Sequence, residues 1–170
     1  LTGLYNRRYF FLESRLTLGR ALRYRHEMTL MVLDIDRFKT INDRHGHAQG
    51  DIVLRDLGLA LQSQLRDTDI LARVGGEEFA IVLTDTGQEG AREAGQRLLQ
   101  AVRALQWQTP DGPLSARISL GMVSLGSGGA RPPGNANLDA LQDQLYSQAD
   151  SAMYAAKKAG GDRLQEAPTP

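Results

Sequence analysis

Residues 70–83 read ILARVGGEEFAIVL: two apolar, strand-like runs joined at Gly75-Gly76, with Glu77 and Glu78 in the bend. The flanking runs, Asp69 to Val74 and Phe79 to Leu83, are short, and Gly-Gly supplies the positive φ that a tight hairpin turn uses. Adjacent glutamates repel one another unless water or a cation screens them, whereas a purely structural turn favours Asn, Asp or Ser. An exposed hairpin would account for the string by itself. The rest of the chain decides between that reading and an active site.

Toward the N-terminus, residues from about Asn6 to Arg25 mix apolar and Arg-rich positions at helical spacing. Thr29 to Leu33 reads as a buried strand that ends in Asp34-Ile35-Asp36. Val53, Leu57, Leu61 and Leu65 recur every four residues, which predicts a helix beginning just after Gly50-Asp51. Toward the C-terminus, Ala91, Ala94, Leu98, Val102 and Leu105 mark another helix, and Ile118, Leu120 and Met122 alternate as a strand. Gly126 to Asn137 is turn chemistry, read as a flexible loop within the domain. Leu138, Leu141, Leu145, Ala149, Ala152 and Ala156 then form the stripe of a last helix, and a short strand from Arg163 closes the sheet. This order predicts an α/β (α+β) fold: a central mixed β-sheet flanked by helices, with the 70–83 hairpin inside it.

The 170 residues, 41% of them hydrophobic, suit one compact domain, expected over residues 1–165 with a tail at 166–170. Twenty basic and twenty acidic side chains cancel, so a polymeric nucleic acid is not an expected partner. The absence of cysteine excludes disulfides and thiolate metal sites and agrees with a cytoplasmic location. No apolar stretch approaches bilayer length, so no membrane contact is expected of this domain. The chain opens at Leu1-Thr2-Gly3 without Met, which suggests a segment of a longer protein that can itself be membrane-anchored.

If the strand ending at Asp34 neighbours the hairpin, Asp34 and Glu77 face one pocket. Mg²⁺ takes oxygen ligands, typically one or two carboxylates plus substrate phosphates, and two-metal sites hold both oxygens of an in-line displacement. Helix capping or a solvated strand end would equally account for Asp34 and Asp36. The polar stretch from Phe38 to Asp51 could wrap around a phosphorylated ligand. Because no P-loop motif is present, metal, Lys and backbone N–H groups would have to hold phosphate. The i, i+2 pair His45 and His47 favours packing or hydrogen bonding over a metal site.

Taken together these motifs resemble the GGDEF domain, the diguanylate cyclase family, in its GGEEF variant. The likeness runs through LTGLYNRR at Leu1 to Arg8, LDIDRFKTINDRHGHAQGD at Leu33 to Asp51, LARVGGEEF at Leu71 to Phe79, ISLGM at Ile118 to Met122 and ADSAMYAAKKAG at Ala149 to Gly160. It implies a fold like that of nucleotide cyclases and polymerase palms. The implied reaction condenses two GTP into cyclic di-GMP with release of two pyrophosphates, and it needs a homodimer in which each copy brings one GTP. The resemblance assigns Asp34, the Ile35 carbonyl and Glu77 to Mg²⁺, two ions per site with Mn²⁺ an alternative. It assigns Glu77, Glu78 and Lys39 to catalysis. Phe38, Lys39, Asn42, His47, Asp51, Leu54, Gly75, Gly76 and Lys157 would bind GTP, with Asn42 and Asp51 reading guanine.

The ending departs from the family pattern. Gly161 and Asp162 stand where Arg and Asn are expected, so one phosphate contact is missing and weaker GTP binding is anticipated. Arg66-Asp67-Thr68-Asp69 matches the R-x-x-D motif through which product inhibits family members. Arg66 and Asp69 would bind cyclic di-GMP there, with Arg97 in support and Arg20 contributing from a neighbouring domain.

Overall fold

In the computed structural model, which describes residues 1–126, 132–133 and 136–168, the chain enters through a two-residue strand, β1 (Tyr5–Asn6). Asn6 then caps α1 (Arg7–Tyr24), its side-chain oxygen accepting from the Tyr9 amide at 2.9 Å. The apolar run becomes β2 (Met28–Ile35), buried along its whole length. Arg37, at φ 54°, makes the sharp left-handed turn from that strand into α2 (Phe38–His45). After Gly46 come α3 (His47–Gln62), β3 (Ile70–Arg73), β4 (Glu78–Thr84) and α4 (Gln88–Arg103). The remainder is β5 (Gln106–Thr109), β6 (Gly112–Ser115), β7 (Ile118–Leu125), α5 (Leu138–Lys158) and β8 (Arg163–Glu166).

Six strands form a mixed sheet in the order β1-β3-β4-β2-β7-β8, and β5 pairs with β6 as a separate ribbon. β2 lies at the centre, antiparallel to both β4 and β7, while β1 joins β3 and β8 joins β7 in parallel. Alternate residues along each strand feed two cores. Leu33, Ile35, Phe79 and Ile81 pack with Phe38, Leu54, Leu57 and Leu98 of α2, α3 and α4. Leu30, Val32, Ala80 and Val82 pack with Phe10, Leu18, Leu145 and Met153 of α1 and α5 on the other face. Each Leu, Ile, Val, Phe or Met among them, fully buried, contributes about 1.5–3 kcal/mol, so the polar end of β2 is held by a strand that cannot shift cheaply.

Two expectations change. The polar stretch Phe38 to Asp51 forms α2 and the first turn of α3, which starts at His47 rather than after Asp51. Gly46, at φ 82°, separates the two helices and lets polar residues ride on helical backbone. Gly75 and Gly76 do not adopt positive φ. The link is wider than a two-residue turn, because both Val74 N and Gly75 N donate to the Glu78 carbonyl, at 2.9 and 3.3 Å. The β5–β6 ribbon was not anticipated. Much of the loop expected over 126–137 lies outside the described residues.

Candidate functional site

β2 delivers Asp34 opposite Glu78 of β4, and the Ile35 amide donates to the Glu77 carbonyl at 3.2 Å. The sheet register therefore fixes the glycine-rich turn against the strand's acidic end. Asp34 is only 7% exposed. Burial pushes its carboxyl up to about 6; Lys157, whose Nζ donates to Asp34 Oδ1, opposes the shift, and the charges of Glu77 and Glu78 add to it. Three acids and one ammonium thus meet at one end of the sheet. The turn is braced from behind: Arg73 donates through Nε and Nη2 to the Gly76 carbonyl, at 3.2 and 2.7 Å.

The two glycines serve by lacking side chains. A Cβ on Gly75 would lie 2.3 Å from Glu78 Oε2, because the Glu78 carboxylate folds over it. A Cβ on Gly76 would meet nothing within 4 Å, which leaves that backbone open to an incoming group.

Asn42 on α2 faces Gly50 on α3, where a Cβ would lie 1.8 Å from Asn42 Oδ1. That oxygen is buried with no hydrogen-bond partner, a cost a native interior normally avoids. Asp51, Lys39 and His47 are exposed, whereas Phe38 and Leu54 are buried in the core beneath them.

At the far side of β2, Asp36 accepts from Ser119 Oγ at 2.6 Å and from the Asp162 amide at 2.8 Å. Asp162 in turn holds Arg103 Nε at 2.8 Å, with Arg117 Nε 3.6 Å away. Gly161 has φ 75°, and a Cβ there would sit 2.6 Å from Asp36 Oδ2. Arg163 is turned back onto the Gly161 carbonyl at 3.0 Å, and Lys158 lies over the Tyr154 ring. Sequence reasoning missed the roles of Arg73, Asp36 and Ser119. Only the Asp-Ile-Asp spacing hinted at one of them.

Arg66 and Asp69 sit before β3. Asp69 Oδ2 accepts from the Arg66 amide at 2.9 Å and Oδ1 from the Thr84 amide at 3.1 Å, so this carboxylate shapes the turn that presents Arg66. Both residues line a cavity of about 310 Å³. Arg20 and Asp69 line a neighbouring cavity of about 420 Å³, and Arg97 on α4 lines neither.

Among the described residues, no three His, Cys, Asp or Glu side chains form a ready metal cage. Asp34, Glu77 and a backbone carbonyl nonetheless fit a hard cation such as Mg²⁺, which keeps positions for water and phosphate and would offset the repulsion among these acids. Among the described residues, no helix is long and apolar enough to cross a membrane.

Residues 1–163 match the family described as diguanylate cyclase, GGDEF domain. The chain is 40% identical over 169 residues to diguanylate cyclase DgcP of Pseudomonas aeruginosa, covering 98% of this chain and 23% of that protein. Among solved structures, the active GGEEF domain of a diguanylate cyclase from Vibrio cholerae superposes with a TM-score of 0.83 at 32% identity, covering 98% of this chain and 99% of the other. The GGDEF domain of DgcB from Caulobacter crescentus, solved in complex with c-di-GMP, superposes with a TM-score of 0.85 at 27% identity, covering 97% and 89%.

Proposed function

The chain belongs to the diguanylate cyclase, GGDEF domain, family, and from that premise we propose that it condenses two GTP into cyclic di-GMP and two pyrophosphates. The observation that supports this most directly is the buried Asp34 carboxylate set across from the acids of the glycine-rich turn.

Asp34, the Ile35 carbonyl and Glu77 would hold Mg²⁺ or Mn²⁺. When bound, such ions polarise phosphoryl oxygens and lower the proton affinity of a coordinated hydroxyl. Asn42 and Asp51 orient guanine: the buried, unpartnered Asn42 Oδ1 gains a donor, and the exposed Asp51 carboxylate accepts from base N–H groups. Adenine presents no matching donor pair, so a site built on these bonds rejects it. Lys39, exposed on α2, would reach phosphate, and Lys157 balances charge beside Asp34. Gly76 gives the nucleotide room at the turn, and Glu77 helps take the proton from the 3′-hydroxyl, with Glu78 contributing charge. Each protomer supplies one nucleotide, so two copies must face each other. A GTP substrate supports a cytoplasmic location for the domain. Product returns to Arg66 and slows the enzyme.

The Gly161 corner supports a second reading, a nucleotide-sensing module with weak or no turnover. At position 161 an Arg would have to adopt a φ of 75° and displace the Asp36 carboxylate, and Arg163 and Lys158 are engaged elsewhere. Purified protein, alone and as an enforced dimer, given GTP and Mg²⁺ should release pyrophosphate and cyclic di-GMP. An enforced dimer that binds GTP without forming product would establish the sensor instead.

A further inference from the structure

The two cavities beside Arg66 and Arg20 share a wall made of Tyr5, Asp67 and Asp69. Tyr5 is 50% exposed, belongs to neither core and stacks on Tyr9 with ring centroids 3.8 Å apart and planes 19° from parallel. Its backbone is fixed by pairing with Ala72. A stacked pair whose outer ring is half exposed leaves apolar surface in water at the mouth of a cavity, the condition under which a ring is free to meet a ligand. The charges distinguish the two cavities. The larger adds Glu13, Glu27 and Asp85 against Arg20 and His26, an environment that repels a phosphodiester, whereas the smaller adds Arg66.

We propose that Tyr5, backed by Tyr9, is the platform on which one purine of cyclic di-GMP stacks while Arg66 takes the edge of the base. The anionic ring then lies on the Arg66 side of Tyr5 rather than in the acidic cavity. This inference rests on the reading of Arg66 as the product site. Stacking of a base on an aromatic side chain is worth about 1–3 kcal/mol by alanine substitution, or about tenfold to a hundredfold in affinity.

Calorimetric titration of cyclic di-GMP into the full chain tests it, with Tyr5→Ala, Tyr5→Phe and Arg66→Ala beside the wild type. Tyr5→Ala should weaken binding about tenfold to a hundredfold at a temperature well below melting, with a ligand-free melting temperature lowered by no more than about 4 °C, and Tyr5→Phe should stay within about twofold. If Tyr5→Ala binds as the wild type does while Arg66→Ala loses affinity, the stacking role is wrong and the product site stands. A fall of about 10 °C or more for Tyr5→Ala, with wild-type affinity restored on cooling, would reduce Tyr5 to a structural residue. If Arg66→Ala also leaves affinity intact, or the wild type takes up no cyclic di-GMP, the product-site reading fails and this inference with it.

Discussion

Asp34 shows at a single residue how the site trades stability for chemistry. Its carboxyl is raised to about 6, so protonated Asp34 favours the fold below the ordinary carboxylate range, and this contribution is lost as pH rises through about 6. Above that pH, in the absence of a cation, the ionised group is a liability that solvent screening holds to about 1–2 kcal/mol. Asp34→Asn keeps an oxygen for Lys157 and removes the charge. The variant should melt higher than the wild type in chelator at about pH 7.5, converge with it near pH 4, and lose GTP turnover by at least about a hundredfold. Differential scanning fluorimetry across that range, with a pyrophosphate assay, checks both parts. A wild type that is the more stable protein at neutral pH would contradict the assigned sign. Gly50 offers a second test. Ala there must displace Asn42 Oδ1, so KM for GTP should rise by about tenfold, the value of one buried hydrogen bond to the base, and the preference over ATP should narrow. Steady-state kinetics on both nucleotides reads this directly.

Among the elements, the contact of α5 with β7 matters most for the site, because α5 brings Lys157 to Asp34. Gly121 permits that contact: a Cβ there would lie 2.0 Å from the Ala149 carbonyl oxygen and 2.2 Å from the Met153 amide. Both are backbone atoms, so rotamer changes give no relief. Gly121→Ala must lift the helix from the sheet, and urea unfolding should show a loss of about 3 kcal/mol or more, together with weaker GTP binding. A loss under about 1 kcal/mol would mean that α5 shifts freely. In the sequence Gly121 fell between the alternating Ile118, Leu120 and Met122 and was passed over, although a glycine inside a strand pattern is the one local sign of a close backbone approach. The strands and long helices were legible because their periodicities follow from burial on one or two faces. The β5–β6 ribbon was not: it exposes alternate residues, and Trp107 is held on α3 by a long-range bond to Asp56 at 2.8 Å. The end of β2 and the hairpin could be paired in advance because both carry carboxylates. Asp36, Ser119 and Asp162 meet only through strand order, which no local pattern reveals.

Across the whole molecule, the site residues lie at one end of the central strand, around the hairpin and α2–α3, while Arg66 and Tyr5 lie along the β3–β1 edge. One chain carries one set of these acids and one Asn42, which under the proposed function serve a single nucleotide. The proposed reaction joins two nucleotides, each attacking the other, so turnover by an isolated chain requires an encounter between copies. The zero formal net charge neither hinders nor steers that encounter at long range. Rate per chain should therefore climb in proportion to protein concentration at saturating GTP until dimers dominate. Fusing the chain to a parallel coiled coil should remove the dependence and raise the dilute rate by about a hundredfold or more, the advantage of replacing a micromolar encounter with a tethered effective concentration near the millimolar range. Pyrophosphate release measured over a hundredfold dilution series, with and without the fusion, makes the comparison. A specific rate that is flat across the series for a chain shown to be monomeric would mean that one active site completes both bonds, and the two-copy mechanism would have to be abandoned.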